Sequence, residues 1–246
     1  MRRVTRSALP APTQRALDRR QQTADQKRAS GTLTVQSEWD GARKTKALKT
    51  VLRALKDMAG ERERCMYCGD SHGTDIEHFW PKTPYPERMF RWPNLLLCCT
   101  ECGRFKGNLF PLDAGGLPLL VDPSVDNPWH FLDFNPDTCT LVARFDLAAG
   151  APSLRGTKTV DLLQLDRREA LEAGYRKTHR RILALVERTL GQGTVDVDGL
   201  CQELSEADDH GLLGWYLSGT GQNLSPFREL RARHPQAWAA CVAALT

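Results

Sequence analysis

The chain has 246 residues, 41% of them apolar, and a formal charge of +4. That apolar share supplies one or two packed cores and excludes a wholly disordered chain. No run of about 18 uninterrupted apolar residues occurs, and the opening MRRVTRSALPAP has no apolar segment behind its basic residues. Neither a membrane span nor a secretory leader is therefore expected, and the chain reads as soluble and cytoplasmic.

The charge is unevenly placed. Residues 1–64 hold 16 Lys and Arg against 7 Asp and Glu, a net +9, which leaves −5 for the remainder. Such an asymmetry fits an arm that meets phosphate or an acidic partner surface, and it fits equally a solvated helix face. Residues 1–12, with Pro10 and Pro12, predict an extended lead-in, and 13–28 a polar helix. After a break at Ser30 to Thr34, the residues Trp39, Leu48, Val51, Leu52, Leu55 and Met58 predict one amphipathic helix from about 37 to 59, stopped at Gly60. Residues 113–157 read as a wrapping loop region with short strands at Leu119 to Val121 and Thr140 to Phe145. A second helical block starts near Thr157 and contains a long helix carrying Leu171, Tyr175, Ile182, Leu185, Val186 and Leu190. Two or three shorter helices follow, broken at Gly191 to Gly193, Gly219 to Gly221 and Pro226.

The cysteines carry the strongest local signal. Five of the eight, Cys65, Cys68, Cys98, Cys99 and Cys102, fall between positions 65 and 102 and contain two C-x-x-C pairs. This is metal spacing rather than a disulfide framework. Gly69 permits the tight turn of a zinc knuckle, and Cys65, Cys68, Cys99 and Cys102 would close a tetrahedral zinc site, with Cys98 as the spare. Unrelated reduced pairs or a redox C-x-x-C are the plainer alternatives, outweighed by the spacing of the two knuckles. Cys139, Cys201 and Cys241 read as reduced thiols.

Between the knuckles lie IEHFWPK (76–82) and WPNLLL (92–97). They predict a hairpin with Glu77 and His78 on one strand and Leu95 to Leu97 on the other, then a helix from about Thr100 carrying Arg104 and Lys106. A neutral imidazole can take a proton from water at cellular pH, and a neighbouring carboxylate can hold a hard cation against a phosphate. His78 as a zinc ligand is the blander reading, but four cysteines already suffice. His72, His130, His179, His210 and His234 read as structural, and Asp122 and Asp126 as turn caps.

Cys-x-x-Cys, Glu-His, Asn-Leu and Cys-x-x-Cys-x-x-x-Lys-Gly together resemble the HNH endonuclease motif, over about 50 residues. The resemblance implies an α+β fold: a ββα-metal (HNH) core with a structural four-cysteine zinc knuckle, flanked by N- and C-terminal α-helical segments. It implies His78 as general base, Glu77 as ligand of a catalytic Mg²⁺ or Mn²⁺, Asn94 as the residue that ties the connecting loop, and Arg104 and Lys106 as phosphate-gripping groups. Gly103 departs from the pattern, because most relatives with this knuckle carry Asn or His there as a second ligand. Asn108 is the expected substitute. The departure leaves open a degenerate or partner-dependent site, and with it a non-enzymatic zinc module that binds nucleic acid or assembles a complex. A housekeeping role in repair is a third reading.

The longer pattern, from the basic helical lead through KGNLFPL and LLVDPSVDNPWHFLDF to the helical tail, resembles the PtuB-like HNH nuclease subunits of Septu antiphage systems, also found beside some retrons. That likeness is sharp only from about 65 to 135. It implies an ABC/SMC-type ATPase of the PtuA kind as partner, and phage DNA or tRNA as substrate. The organisation expected is a basic helical partner-docking region over 1–60, a nuclease core with knuckle and wrapping loop over 61–157, and a helical region over 158–246.

Overall fold

The computed structural model describes residues 1–245. The extended lead-in is present, and it is threaded into the interior: Met1 and Val4 are buried, and the Met1 ammonium donates to the Tyr175 hydroxyl at 2.6 Å. Arg6 fixes the next stretch, donating to the carbonyls of Trp92 and Leu95 at 2.9 and 3.0 Å while its guanidinium lies over the Trp92 ring.

Helix α1 (Ala11–Ala29) starts where Pro12 falls in the first turn, a position whose N–H would have no helical partner anyway. Thr13, Leu17, Gln21 and Ala24 form its buried stripe. The single helix expected from about 37 to 59 is two, α2 (Val35–Arg43) and α3 (Lys46–Ala59). The reason lies in the phase of the apolar residues. At 3.6 residues per turn Trp39 and Leu48 would sit about half a turn apart, on opposite faces of one continuous helix. The break at Lys44 and Thr45 resets the phase so that both are buried, and Thr45 closes it by donating its hydroxyl to the Ala42 carbonyl at 2.7 Å. Gly60, with φ +83°, ends α3.

Strands β1 (Asp75–His78) and β2 (Leu95–Cys98) pair antiparallel, with Glu77 opposite Leu96 and His78 opposite Leu95. Helix α4 (Thr100–Lys106) follows at once, capped by the Cys99 sulfur on the Cys102 amide. The connection between the strands is held by 3-10 turns at Pro86–Arg88 and Trp92–Asn94. A second hairpin, β3 (Leu132–Asn135) with β4 (Thr140–Ala143), and a small ribbon, β5 (Phe145–Asp146) with β6 (Ala151–Pro152), come next. The strand expected at Leu119 to Val121 is absent. That segment is buried but irregular, and its Val121 amide is taken up by the Thr159 hydroxyl at 2.9 Å instead of by a sheet partner.

The helical tail comprises α5 (Leu154–Leu163), α6 (Glu169–Leu190), α7 (Val197–Ala207), α8 (Leu212–Ser218), α9 (Phe227–Arg233) and α10 (Pro235–Leu245), so among the described residues four short helices follow the long one. Buried side chains form one continuous cluster from Met1 to Cys241. Among the described residues no helix is long and apolar enough to cross a membrane. Helix α3 packs on both strands of the first hairpin, and α1 packs on α3 and on the turn at Pro86–Arg88, so the N-terminal helices buttress the hairpin.

Candidate active site and zinc knuckle

The fold brings Cys65, Cys68, Cys99 and Cys102 together, all buried, with their sulfurs within 4.8 Å of one another and Cys68 and Cys99 4.0 Å apart. Four thiolates about 2.3 Å from a tetrahedral zinc would be separated by about 3.8 Å, so the cage needs only a slight contraction to close. Gly69, at φ +70°, turns the chain immediately after Cys68, where an added β-carbon would lie 3.0 Å from the His210 carbonyl. Hydrogen bonds from Cys102 and Cys65 pull the Cys68 thiol down to about 7, while burial pushes Cys65 up. Thiols so close cannot all ionise unaided, and a cation at their centre is what would expel the remaining protons. Cys98 stays out of the cage and donates its thiol to the Cys99 carbonyl.

One cation already serves the cage from outside. Arg168, at the entry to α6, donates Nη1 to the Cys102 sulfur at 3.2 Å and pairs with Glu101. Burial works against its charge, and the Cys102 sulfur and Glu101 more than offset it. Tyr175 closes the other side by donating to the Cys68 carbonyl at 3.0 Å.

The hairpin places Glu77 and His78 side by side at the end of β1. His78 is 4% exposed, and its Nε2 lies 3.0 Å from the Met89 carbonyl. A carbonyl only accepts, so Nε2 carries the proton and Nδ1 the lone pair. Trp39 of α2 packs edge-on against the ring, centroid to centroid 4.4 Å. Burial, with Lys82 and Lys106 acting the same way, pushes the imidazolium down to about 3, so the ring is neutral at cellular pH. Met89 is itself positioned from α1: buried Gln21 accepts from the Phe90 amide at 2.8 Å and donates to the Pro86 carbonyl at 2.9 Å. Asn94 ties the two ends of the strand connection, accepting from the Trp80 amide at 2.7 Å and donating to the carbonyls of Trp80 and Arg88 at 3.0 Å.

Lys106 stands differently from the phosphate-gripping expectation. It is fully buried and donates to Glu77 Oε1 at 2.9 Å and to the His78 carbonyl at 2.6 Å. The cause is helical spacing: Cys102 and Lys106 are four apart on the inward face of α4, whereas Arg104 points to solvent. The other carboxylate oxygen, Oε2, faces Gly103, where a β-carbon would lie 3.5 Å from it. Asn108 is exposed beyond the end of α4 and makes no hydrogen bond to Glu77 among the described residues.

Asp122 and Asp126 cap turns as expected, Asp122 accepting from the Ser124 amide and Asp126 from the Asp122 amide, with Arg155 paired to Asp126. His72 and His130 are exposed, His179 meets the Tyr216 hydroxyl, and His210 bridges Asp70 and Thr178. Cys201 and Cys241 face each other as thiols, 3.3 Å apart. Trp39, Gln21 and Arg168 are not marked as site residues by their sequence. Each acts across more than 35 residues of chain, and only Trp39 carries any signal, as an aromatic on an amphipathic face.

No family model matches the chain. The chain is similar to the Septu protein PtuB of Bacillus thuringiensis, 30% identical over 123 residues, which cover 48% of this chain and 42% of that protein. The match thus spans less than half the length of that curated relative.

Proposed function

We propose that this chain is an HNH-type nuclease that hydrolyses phosphodiester bonds in nucleic acid, and that it acts as the effector of a Septu-like antiphage assembly beside an ABC/SMC-type ATPase. The observation that carries the reading is the pairing of Glu77 with a neutral, oriented His78 on a hairpin tethered to a four-cysteine cage. The likeness to a Septu protein supports the defence setting. DNA is the first substrate to test and tRNA the second.

His78 holds a lone pair at Nδ1 because Met89 fixes the proton on Nε2. In the proposed step Nδ1 takes a proton from a water whose oxygen attacks phosphorus. The P–O3′ bond breaks, and the leaving oxygen collects a proton from solvent. A phosphodiester anion beside the ring raises its proton affinity in the bound state, offsetting the desolvation that keeps it neutral beforehand. Lys106 fixes the Glu77 carboxylate and the backbone of His78 together, so the two groups keep one geometry. Glu77 Oε2 and the space left by the missing side chain at Gly103 suit a largely hydrated Mg²⁺ or Mn²⁺, which would be held by this one protein oxygen and would steady charge on the phosphate.

The test is cleavage of plasmid DNA and of total tRNA by the zinc-loaded protein, alone and with a PtuA-like ATPase, in Mg²⁺ or Mn²⁺. His78→Ala is expected to abolish cutting while the protein stays folded and keeps its zinc, with a lowered melting temperature because the ring is buried against Trp39. A mutant that cuts at the wild-type rate sinks the mechanism. Gly103 and the buried Lys106 favour a second reading, a zinc-stapled assembly module without catalysis. That reading takes over if no nucleic acid is cut under any of these conditions.

A further inference from the structure

The helices that buttress the hairpin carry a row of cations that the fold does not use. Lys27, Arg28 and Lys56 each have a carboxylate partner, Glu38, Glu87 and Glu63. Arg15, Arg19 and Arg20 on α1 and Lys44, Lys46 and Lys49 at the α2–α3 junction have none within ion-pair distance among the described residues. Arg20 is half-buried and the other five are exposed. Arg15 and Arg19 are four apart, and Lys46 and Lys49 three apart, so like charges sit on neighbouring turns. That arrangement costs an isolated helix stability and is relieved by an anion laid across it. A shallow groove of about 320 Å³ lies between the two elements, with Arg19 and Arg20 of α1 on one wall, Thr45 and Ala47 of the junction on the other, and Glu38 already neutralised by Lys27.

Helix α2, which supplies Glu38 to the groove, also reaches the candidate hairpin. Arg43, the residue before Lys44, reaches Asp75 at the start of β1 at 4.0 Å, and Trp39 of the same helix packs on His78. We infer that α1 and the α2–α3 junction form the track along which the phosphate backbone of the substrate nucleic acid lies, delivering it to the hairpin edge at Glu77 and His78. This rests on the nuclease reading and adds to it the binding surface. Unpaired cations on helices that also hold the hairpin of a site that would cut a polyanion suit backbone contact independent of base sequence.

The experiment is binding of a fluorescein-labelled duplex of arbitrary sequence, followed by anisotropy at 50 and 200 mM salt. It uses the zinc-loaded full chain in a His78→Ala background so that the probe is not cut. The test variant adds Arg19→Ala, Arg20→Ala, Lys46→Ala and Lys49→Ala, and zinc content and melting temperature establish that it is folded. Each phosphate contact contributes about 0.9 to the slope of log affinity against log salt, so losing four lowers the slope by about 3.6. Over this salt interval that is roughly a 100-fold smaller drop in affinity. An unchanged slope and affinity would overturn the track while leaving the nuclease standing if the otherwise wild-type protein still cuts. A variant that binds duplex and tRNA normally but loses an ATPase partner would also overturn it, making the face a protein-docking surface. Failure of the wild type to bind or cut any nucleic acid would overturn both readings together.

Discussion

The most informative single group is the Lys106 ammonium, which is wholly buried against Glu77 Oε1 and the His78 carbonyl. Removing one member of a buried pair costs about 3–5 kcal/mol, because the other charge is left without compensation. Glu77 retains some solvent contact, so Lys106→Met is expected near the lower end of that range, measured by urea unfolding. Glu77→Leu combined with Lys106→Met should be more stable than Lys106→Met alone. A lysine that gripped phosphate would behave otherwise, weakening substrate binding and leaving unfolding unchanged. The cysteines divide as sharply. Cys102→Ser should lose zinc and unfold, since zinc binding in such a cage is folding free energy, whereas Cys98→Ser should keep one zinc per chain by atomic absorption because its sulfur lies outside the four-sulfur cage and donates to the Cys99 carbonyl.

At the scale of elements, His78 is oriented by parts remote from it in sequence. Its ring is boxed by Trp39 from α2, and its Nε2 acceptor belongs to a loop that Gln21 of α1 holds at Pro86 and Phe90. Truncating a buried aromatic costs about 3–5 kcal/mol, and Trp39→Ala should lower kcat more than it raises KM, because it frees the ring without touching the phosphate path. Gln21→Ala should act in the same direction with a smaller stability cost, and a kcat equal to wild type in both variants would remove α1 and α2 from the positioning argument. These contacts also mark the limit of what the sequence discloses. The hairpin and α4 were legible because the C-x-x-C spacing, the Glu-His pair and the short apolar run LLL are local signals. The division of the 37–59 helix was legible in principle, through the opposed phases of Trp39 and Leu48, but a periodic apolar pattern conceals a phase reset unless the angle is counted. Burial of Lys106 and the reach of Arg168 to Cys102 depend on which segments meet in three dimensions, and no local pattern encodes that.

Across the whole molecule, the knuckle, the long helix and the tail are joined at His210, which lies just before α8. Its Nε2 meets Asp70 of the knuckle turn at 2.9 Å, its Nδ1 meets Thr178 of α6 at 2.8 Å, and its ring packs against Tyr175, which binds both Met1 and Cys68. Burial lowers the pKa of this imidazole; the Asp70 hydrogen bond and charge oppose the shift, the Met1 ammonium adds to it, and the balance stays below the ordinary 6.5. The unfolded chain therefore binds a proton at His210 more readily than the folded one. Its contribution to stability is complete above pH 6.5 and is lost as pH falls from 6.5 toward the lower folded value. One group of this kind accounts for at most about 1.4 kcal/mol between pH 7.5 and 5.5. Urea unfolding of wild type and His210→Gln at both pH values isolates it, because protonation of the zinc cage is common to the two proteins and cancels in the comparison. The wild type should lose more stability on acidification than His210→Gln does. Equal losses would mean that His210 binds its proton as readily folded as unfolded, and a smaller loss in the wild type would mean that the link from the knuckle to the tail is an imidazolium–carboxylate pair rather than a neutral bridge.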